Sequence, residues 1–199
     1  MNRTKSFLAT VISIKKVGEN NFSVTLLSGQ EGISYATLYG GPKSRMKSLV
    51  TLWNTGIVYL YENPEKKQTK ISDFDVKNFH ESFSSNLFKS YAANLAGELA
   101  IKTKCAGSSL ECYDLIKGFL DGMELCDEKQ SRLGLLRFLW RFIGLLGVQP
   151  EINHCHLCSC NLENSYYNES DNYFYCEDCA KEIIRLKKAG GSFFRAENA

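Results

Sequence analysis

Two Cys-x-x-Cys pairs, Cys155-His156-Leu157-Cys158 and Cys176-Glu177-Asp178-Cys179, stand seventeen residues apart late in the chain. That spacing constrains the fold more than any other feature. Two residues between cysteines let a tight turn aim both sulfurs at one ion, and two such turns complete a closed tetrahedron. Between the pairs, Tyr166-Tyr167 and Tyr173-Phe174-Tyr175 flank a polar turn, which reads as two short strands returning the second pair to the first. The spacing predicts one structural Zn2+ per chain on Cys155, Cys158, Cys176 and Cys179, with no position open to water. Cys160, His154 and His156 are spare donors. His156 sits between two ligands, so Cys160 is the better substitute. Two disulfides fit poorly, because nothing at the start reads as a secretory signal and cytosolic thiols stay reduced. A redox dithiol would explain one pair and leave the other without a role. Cys105, Cys112 and Cys126 fall in helical patterns and read as core thiols.

The charge of the 199 residues is nearly balanced, at +2, but unevenly spread. Residues 1–47 hold seven basic side chains (Arg3, Lys5, Lys15, Lys16, Lys43, Arg45, Lys47) against Glu19 and Glu31, leaving seventeen basic and twenty acidic for the remainder. A basic front end on a near-neutral chain points toward nucleic acid. No window is long and apolar enough for a membrane span, so no membrane partner and a cytoplasmic location are expected.

The front of the chain alternates in the manner of strands. Segments 7–14, 22–27, 33–39, 51–55, 56–61 and 69–76 are separated by polar or glycine-rich turns, which suggests a small closed barrel, though pattern alone does not separate it from a sandwich. The period then changes. Phe79, Phe83, Leu87, Tyr91, Leu95 and Leu99 recur every four residues, predicting one amphipathic helix to about Lys104. A second helix follows the Gly107-Ser108-Ser109 break, with Leu110, Leu115, Ile116, Phe119, Leu120 and Met123 as its apolar face. The third, from Glu128 to Leu146, is apolar on almost every side and is expected to be the hub of a bundle. Gly147 and Pro150 end it. A helical turn or two to Lys188 and a loose tail from Gly190 are expected last. The expected division is 1–77, 78–152, 153–180 and 181–199.

No phosphate loop, nucleophile elbow or His-Glu-x-x-His motif occurs, and His80 reads as a cap or surface residue, so no enzyme is expected. The order of a basic β domain, a helical bundle and a four-cysteine segment resembles the RecO family of DNA-repair and recombination mediators. Leu136-Arg137-Phe138 and Leu145-Leu146-Gly147-Val148-Gln149-Pro150, running into Cys155-His156-Leu157-Cys158, carry the resemblance. Gly40-Gly41-Pro42-Lys43-Ser44-Arg45 is similar to the family's loop between barrel strands. Family members usually continue with further helical sequence after the second cysteine pair.

The resemblance implies an α+β multidomain chain: an N-terminal OB-fold β-barrel, then an all-α helical bundle carrying a four-cysteine zinc finger. It implies binding of single- and double-stranded DNA, and strand annealing and recombinase loading with RecR and single-stranded-DNA-binding protein in RecF-type recombinational repair. It implies a bacterial cytoplasmic protein, associated with the nucleoid during repair. On an OB barrel, Arg3, Lys5, Lys15, Lys16, Lys43, Arg45 and Lys47 are the candidate phosphate contacts, and Tyr35, Tyr39 and Trp53 the candidate stacking platforms. Arg137 and Arg141, four apart beside Phe138, form a candidate receptor for the acidic, apolar tail of the single-stranded-DNA-binding protein. The rival reading is a zinc-ribbon adaptor of transcription or translation. It is disfavoured by charge, since residues 153–180 contain five acids and no Lys or Arg. A thiol redox enzyme would need metal-free, reactive pairs.

Overall fold

The computed structural model describes residues 3–40, 44–65, 68–186 and 193–196. They divide into two compact units, Met1–Gly147 and Val148–Ala199. The first unit opens with β1 (Thr4–Val17), β2 (Asn21–Ser28) and β3 (Gly32–Tyr39), followed by a short helix α1 (Arg45–Leu49) and strands β4 (Thr55–Asn63) and β5 (Gln68–Asn78). These close into a barrel of order β1-β2-β3-β5-β4, which with α1 between β3 and β4 is an OB-fold. Closure depends on the length of β1. Thr4–Thr10 pair with β4 and Thr10–Val17 pair with β2, the second ladder shifting register between Val11 and Ser13. The alternation seen in the sequence is used as expected: Ala9, Val11, Val24, Leu26, Ala36, Leu38, Val58, Leu60 and Phe74 point inward and are buried.

One expected strand is absent. Residues 51–54 form a turn, and Trp53 takes a left-handed backbone (φ 71°). Its N–H donates to the Val11 carbonyl (2.8 Å), its carbonyl accepts from His80 Nδ1 (2.8 Å), and its ring is buried. His80 turns its other nitrogen to Asp121 (3.0 Å), which also accepts from Asn78 and Lys117. Burial works to raise the Asp121 carboxyl, but Lys117, Asn78 and His80 together hold it below its usual range. His80 is therefore a buried cross-brace.

The helices differ from expectation in which faces they bury. The first expected helix is two: α2 (Ser82–Ser85), a break at Asn86, then α3 (Leu87–Thr103), with Asn86 capping α3 by accepting from the Lys89 N–H. Leu87, Tyr91 and Leu95 stand exposed, while Ala92, Ala93, Ala96, Gly97 and Ala100 form the packed face. The reason is close approach. A Cβ added at Gly97 would lie 3.0 Å from the Trp53 ring and 3.4 Å from the Ile12 carbonyl, so only small residues let α3 lie against the barrel. The expected hub also moves. The helix α4 (Ser109–Leu125) buries Cys112, Tyr113, Ile116, Phe119, Leu120 and Met123, whereas α5 (Glu128–Leu145) buries only Ser131, Phe138 and Phe142. Cys105 and Cys112 are core thiols and Cys126 is half-buried. Gly147 (φ 71°) ends α5 by donating to the Gly144 carbonyl.

In the second unit, β6 (Ser165–Asn168) pairs with β7 (Tyr173–Tyr175), as the aromatic repeats predict, and α6 (Glu177–Leu186) follows. The tail is not loose throughout, since β8 (Phe193–Ala196) adds to the other edge of β6. Lys187, Lys188, Gly190 and Gly191 lie outside the described residues. None of the described helices is long and apolar enough to cross a membrane.

Trp53→Ala empties the seat between barrel and α3. Unfolding in denaturant is expected to show a loss of about 3–5 kcal/mol, the cost of deleting a buried aromatic ring. A variant as stable as the parent would remove Trp53 from this role.

Candidate nucleic-acid interface and metal centre

Strand alternation puts Tyr35, Thr37 and Tyr39 of β3 on the outside of the barrel, with Tyr35 and Tyr39 exposed. The register carries this face onward. Thr37 pairs with Lys70 of β5, Lys70 with Tyr61 of β4, and Tyr61 with Thr4 of β1. Lys70 Nζ lies 4.8 Å over the Tyr61 ring, Arg3 Nη1 approaches the Tyr61 hydroxyl (3.5 Å), and Gln68 donates to the Tyr39 hydroxyl (2.5 Å). Tyr39, Tyr61, Gln68, Lys70 and Ser72 line a cleft of about 590 Å³. Aromatic faces with cations at their edges can stack bases and hold phosphates without reading sequence. The sequence reading missed Tyr61 and Lys70. Their outward alternation was visible, but their position beside Tyr39 and Arg3 is set by barrel closure.

The six described cations of the expected seven do not form one patch. Lys5 is held by Glu62 (2.8 Å) and Glu31 (3.2 Å), and these pairings raise its pKa further. Lys15 and Lys16 are exposed at the far end of β1, where Lys16 pairs with Phe22. Lys47 lies 4.8 Å over that same Phe22 ring, and Arg45 is exposed on α1. Lys16, Lys47 and Arg45 thus belong to a second basic region, and Arg3 to the cleft. Lys43 lies outside the described residues. Trp53, expected as a platform, is 3% exposed and cannot stack on a base.

The α4–α5 surface holds a groove of about 590 Å³ with Phe119, Met123 and Phe138 in its wall and Arg137, Arg141 and Asp114 among its polar lining. Phe138 is buried, stacked on Phe119 at 4.5 Å, while both arginines are exposed. Gly118, Gly122 and Gly134 line the same groove, and a Cβ at any of them would meet nothing within 4 Å.

In the second unit the sulfurs of Cys155, Cys158, Cys160 and Cys176 all lie within 4.8 Å of one another. Cys158 and Cys176 are 3.8 Å apart, which matches the separation of about 3.8 Å in a tetrahedron with zinc–sulfur bonds of about 2.3 Å. Cys179, expected as the fourth ligand, stands outside that mutual group in the first turn of α6, where it packs against the cluster of Cys155, Tyr175 and Ala180. The first turn is built for thiolates. Burial works to raise the Cys155 thiol, but backbone N–H groups of Cys158, Cys176 and Leu157 overcome it and bring it down to about 6. The Cys160 N–H serves Cys158 in the same way. His156 is turned away, stacked on Tyr173 at 3.6 Å, and His154 faces Glu151. A soft, all-thiolate donor set suits zinc. Elemental analysis is expected to give one zinc per chain. Cys155→Ser should lose it and melt the β6–β7–β8 sheet, because metal binding and local folding are one event. Protein purified without chelator and free of zinc would contradict this.

A search of curated proteins returned no match. The family described as "Recombination protein O C terminal" matches residues 84–183, just over half of the 199. The matched span runs from α2 through α5 and the cysteine cluster into α6. Preceded by a closed five-stranded barrel, it makes this chain a member of the RecO family of DNA-repair and recombination proteins.

Proposed function

We propose that this chain is a non-enzymatic recombination mediator that binds single- and double-stranded DNA, promotes annealing, and helps load recombinase together with RecR and single-stranded-DNA-binding protein. The observation that carries the reading is the Arg3–Tyr61–Lys70–Tyr39 face on the barrel of a RecO-family chain. Phosphates run along the cations and bases lie on the tyrosines, so binding is tolerant of sequence and sensitive to salt. Such contact suits a protein that acts wherever a strand is broken, in the cytoplasm and at the nucleoid. Lys16, Arg45 and Lys47, with Lys43, extend the contact to longer or duplex DNA. Zn2+ on Cys155, Cys158 and Cys176, completed by Cys179 or Cys160, holds the second unit together and takes no part in chemistry.

The test is a titration of fluorescent single-stranded oligonucleotide at several salt concentrations, with annealing scored in the same samples. Tyr39→Ala and Tyr61→Ala are each expected to cost about 1–3 kcal/mol of binding. Arg3→Glu with Lys70→Glu should flatten the salt slope by about 1.4, two phosphate contacts at about 0.7 each. Lys5→Ala should leave binding nearly unchanged, since Glu31 and Glu62 already hold that charge. Full binding by the Arg3/Lys70 variant at low salt would move the site off this face.

The α4–α5 groove is the proposed seat for the acidic tail of single-stranded-DNA-binding protein. Arg137 and Arg141 meet its carboxylates and the Phe119–Phe138 wall takes its apolar end. Arg137→Ala with Arg141→Ala should weaken a tail peptide about tenfold to a hundredfold, one or two charge-assisted bonds, with zinc content and binding to bare DNA intact. A peptide that binds this variant as tightly as the parent would rule the groove out.

A further inference from the structure

Five thiols converge where zinc accepts four. Cys155, Cys158 and Cys176 are common to both possible groups: with Cys160 they form the mutual 4.8 Å cluster, and Cys179, separated from Cys176 by Glu177-Asp178, packs against the cluster around Cys155. Cys160 is brought there by the backbone. Ser159 is left-handed (φ 58°), which turns the chain back sharply after Cys158, and the Cys160 carbonyl is pinned by the Cys155 N–H at 2.8 Å. The arrangement that aims the Cys160 N–H at Cys158 thus also delivers the Cys160 sulfur to the site.

We propose that the zinc is held by four of these five thiols, with Cys155, Cys158 and Cys176 fixed and Cys160 and Cys179 alternating at the fourth position. The inference rests on the zinc reading above. Zinc has no geometric preference from its d electrons, so the choice between the two donors is set by the protein alone. Four thiolates already leave the centre at a net −2, and a fifth would add repulsion, so the displaced sulfur carries a proton. The exchange balances without an oxidant. The zinc bond to Cys179 breaks as the bond to Cys160 forms, and one proton passes from the Cys160 thiol to the Cys179 sulfur. The consequence is a metal that stays bound while one ligand leaves, with a free thiol beside it that is exposed when it is Cys160 and half-buried when it is Cys179.

The experiment compares Cys160→Ser, Cys179→Ser and the double variant in the full chain, loaded with zinc or with cobalt, whose thiolate charge-transfer absorption counts bound sulfurs. Each single variant is expected to keep one metal and the four-thiolate spectrum, with affinity within a factor of a few of the parent. The double variant should lose a thiolate from the spectrum and about a hundredfold in affinity, one ligand's share of the binding energy. A single variant as damaged as the double, or a double variant that keeps four thiolates, overturns the proposal. Should a variant fail to fold, alkylation of the unmutated zinc protein with iodoacetamide, read by peptide mass, decides instead. Labelling of both Cys160 and Cys179 ahead of Cys155, Cys158 and Cys176 supports exchange, and labelling of only one of the two overturns it. A parent protein without zinc would topple the zinc reading itself, and is distinguishable from either result.

Discussion

The seat of Trp53 is the contact on which the first unit depends. Its left-handed backbone turns the chain between α1 and β4 so that its N–H closes onto β1 and its carbonyl onto His80. Its ring meets α3 at Gly97. Barrel, cross-brace and helix therefore share one residue. A non-glycine residue in that region of φ carries a conformational cost, and it persists because three partners determine it at once. The helices meet the barrel at Ile12, Leu27 and Ile33, while the cleft of Tyr39, Tyr61 and Lys70 is lined by residues of β3, β4 and β5 and is available to a ligand.

Much of this was legible in advance. Five of the six expected strand segments coincide with strands, because one face of each is buried and alternation reports that directly. The helices were read less well for a physical reason. Periodicity weighs large apolar side chains, and on α3 it picked out Leu87, Tyr91 and Leu95, which are exposed. The packed face is alanine and glycine, whose value lies in what they lack. On α5 the abundance of leucine suggested a hub, yet Leu133 and Leu136 face outward and α4 is central.

The candidate sites divide in the same way. Cysteine spacing announces a metal because the ligands of one knuckle are neighbours in sequence. The presence of Cys160 in that cluster depends on the left-handed turn at Ser159, which a serine does not advertise. Counting charge found a basic front end but could not tell that Lys5 is consumed by two glutamates, or that Lys70 joins Arg3 across a closed barrel. Proximity created by closure is invisible to any local window.

The shared residue also bears on how the chain is made. During synthesis the barrel strands leave the ribosome before α3, so the Trp53 indole has no seat until the helix that carries Gly97 has emerged. A vectorially growing barrel is thus left with a bare aromatic ring at its closing turn, the kind of transient apolar surface on which chaperones act. Translation pauses or shortened transcripts that end before α3 would strand the nascent protein in that state.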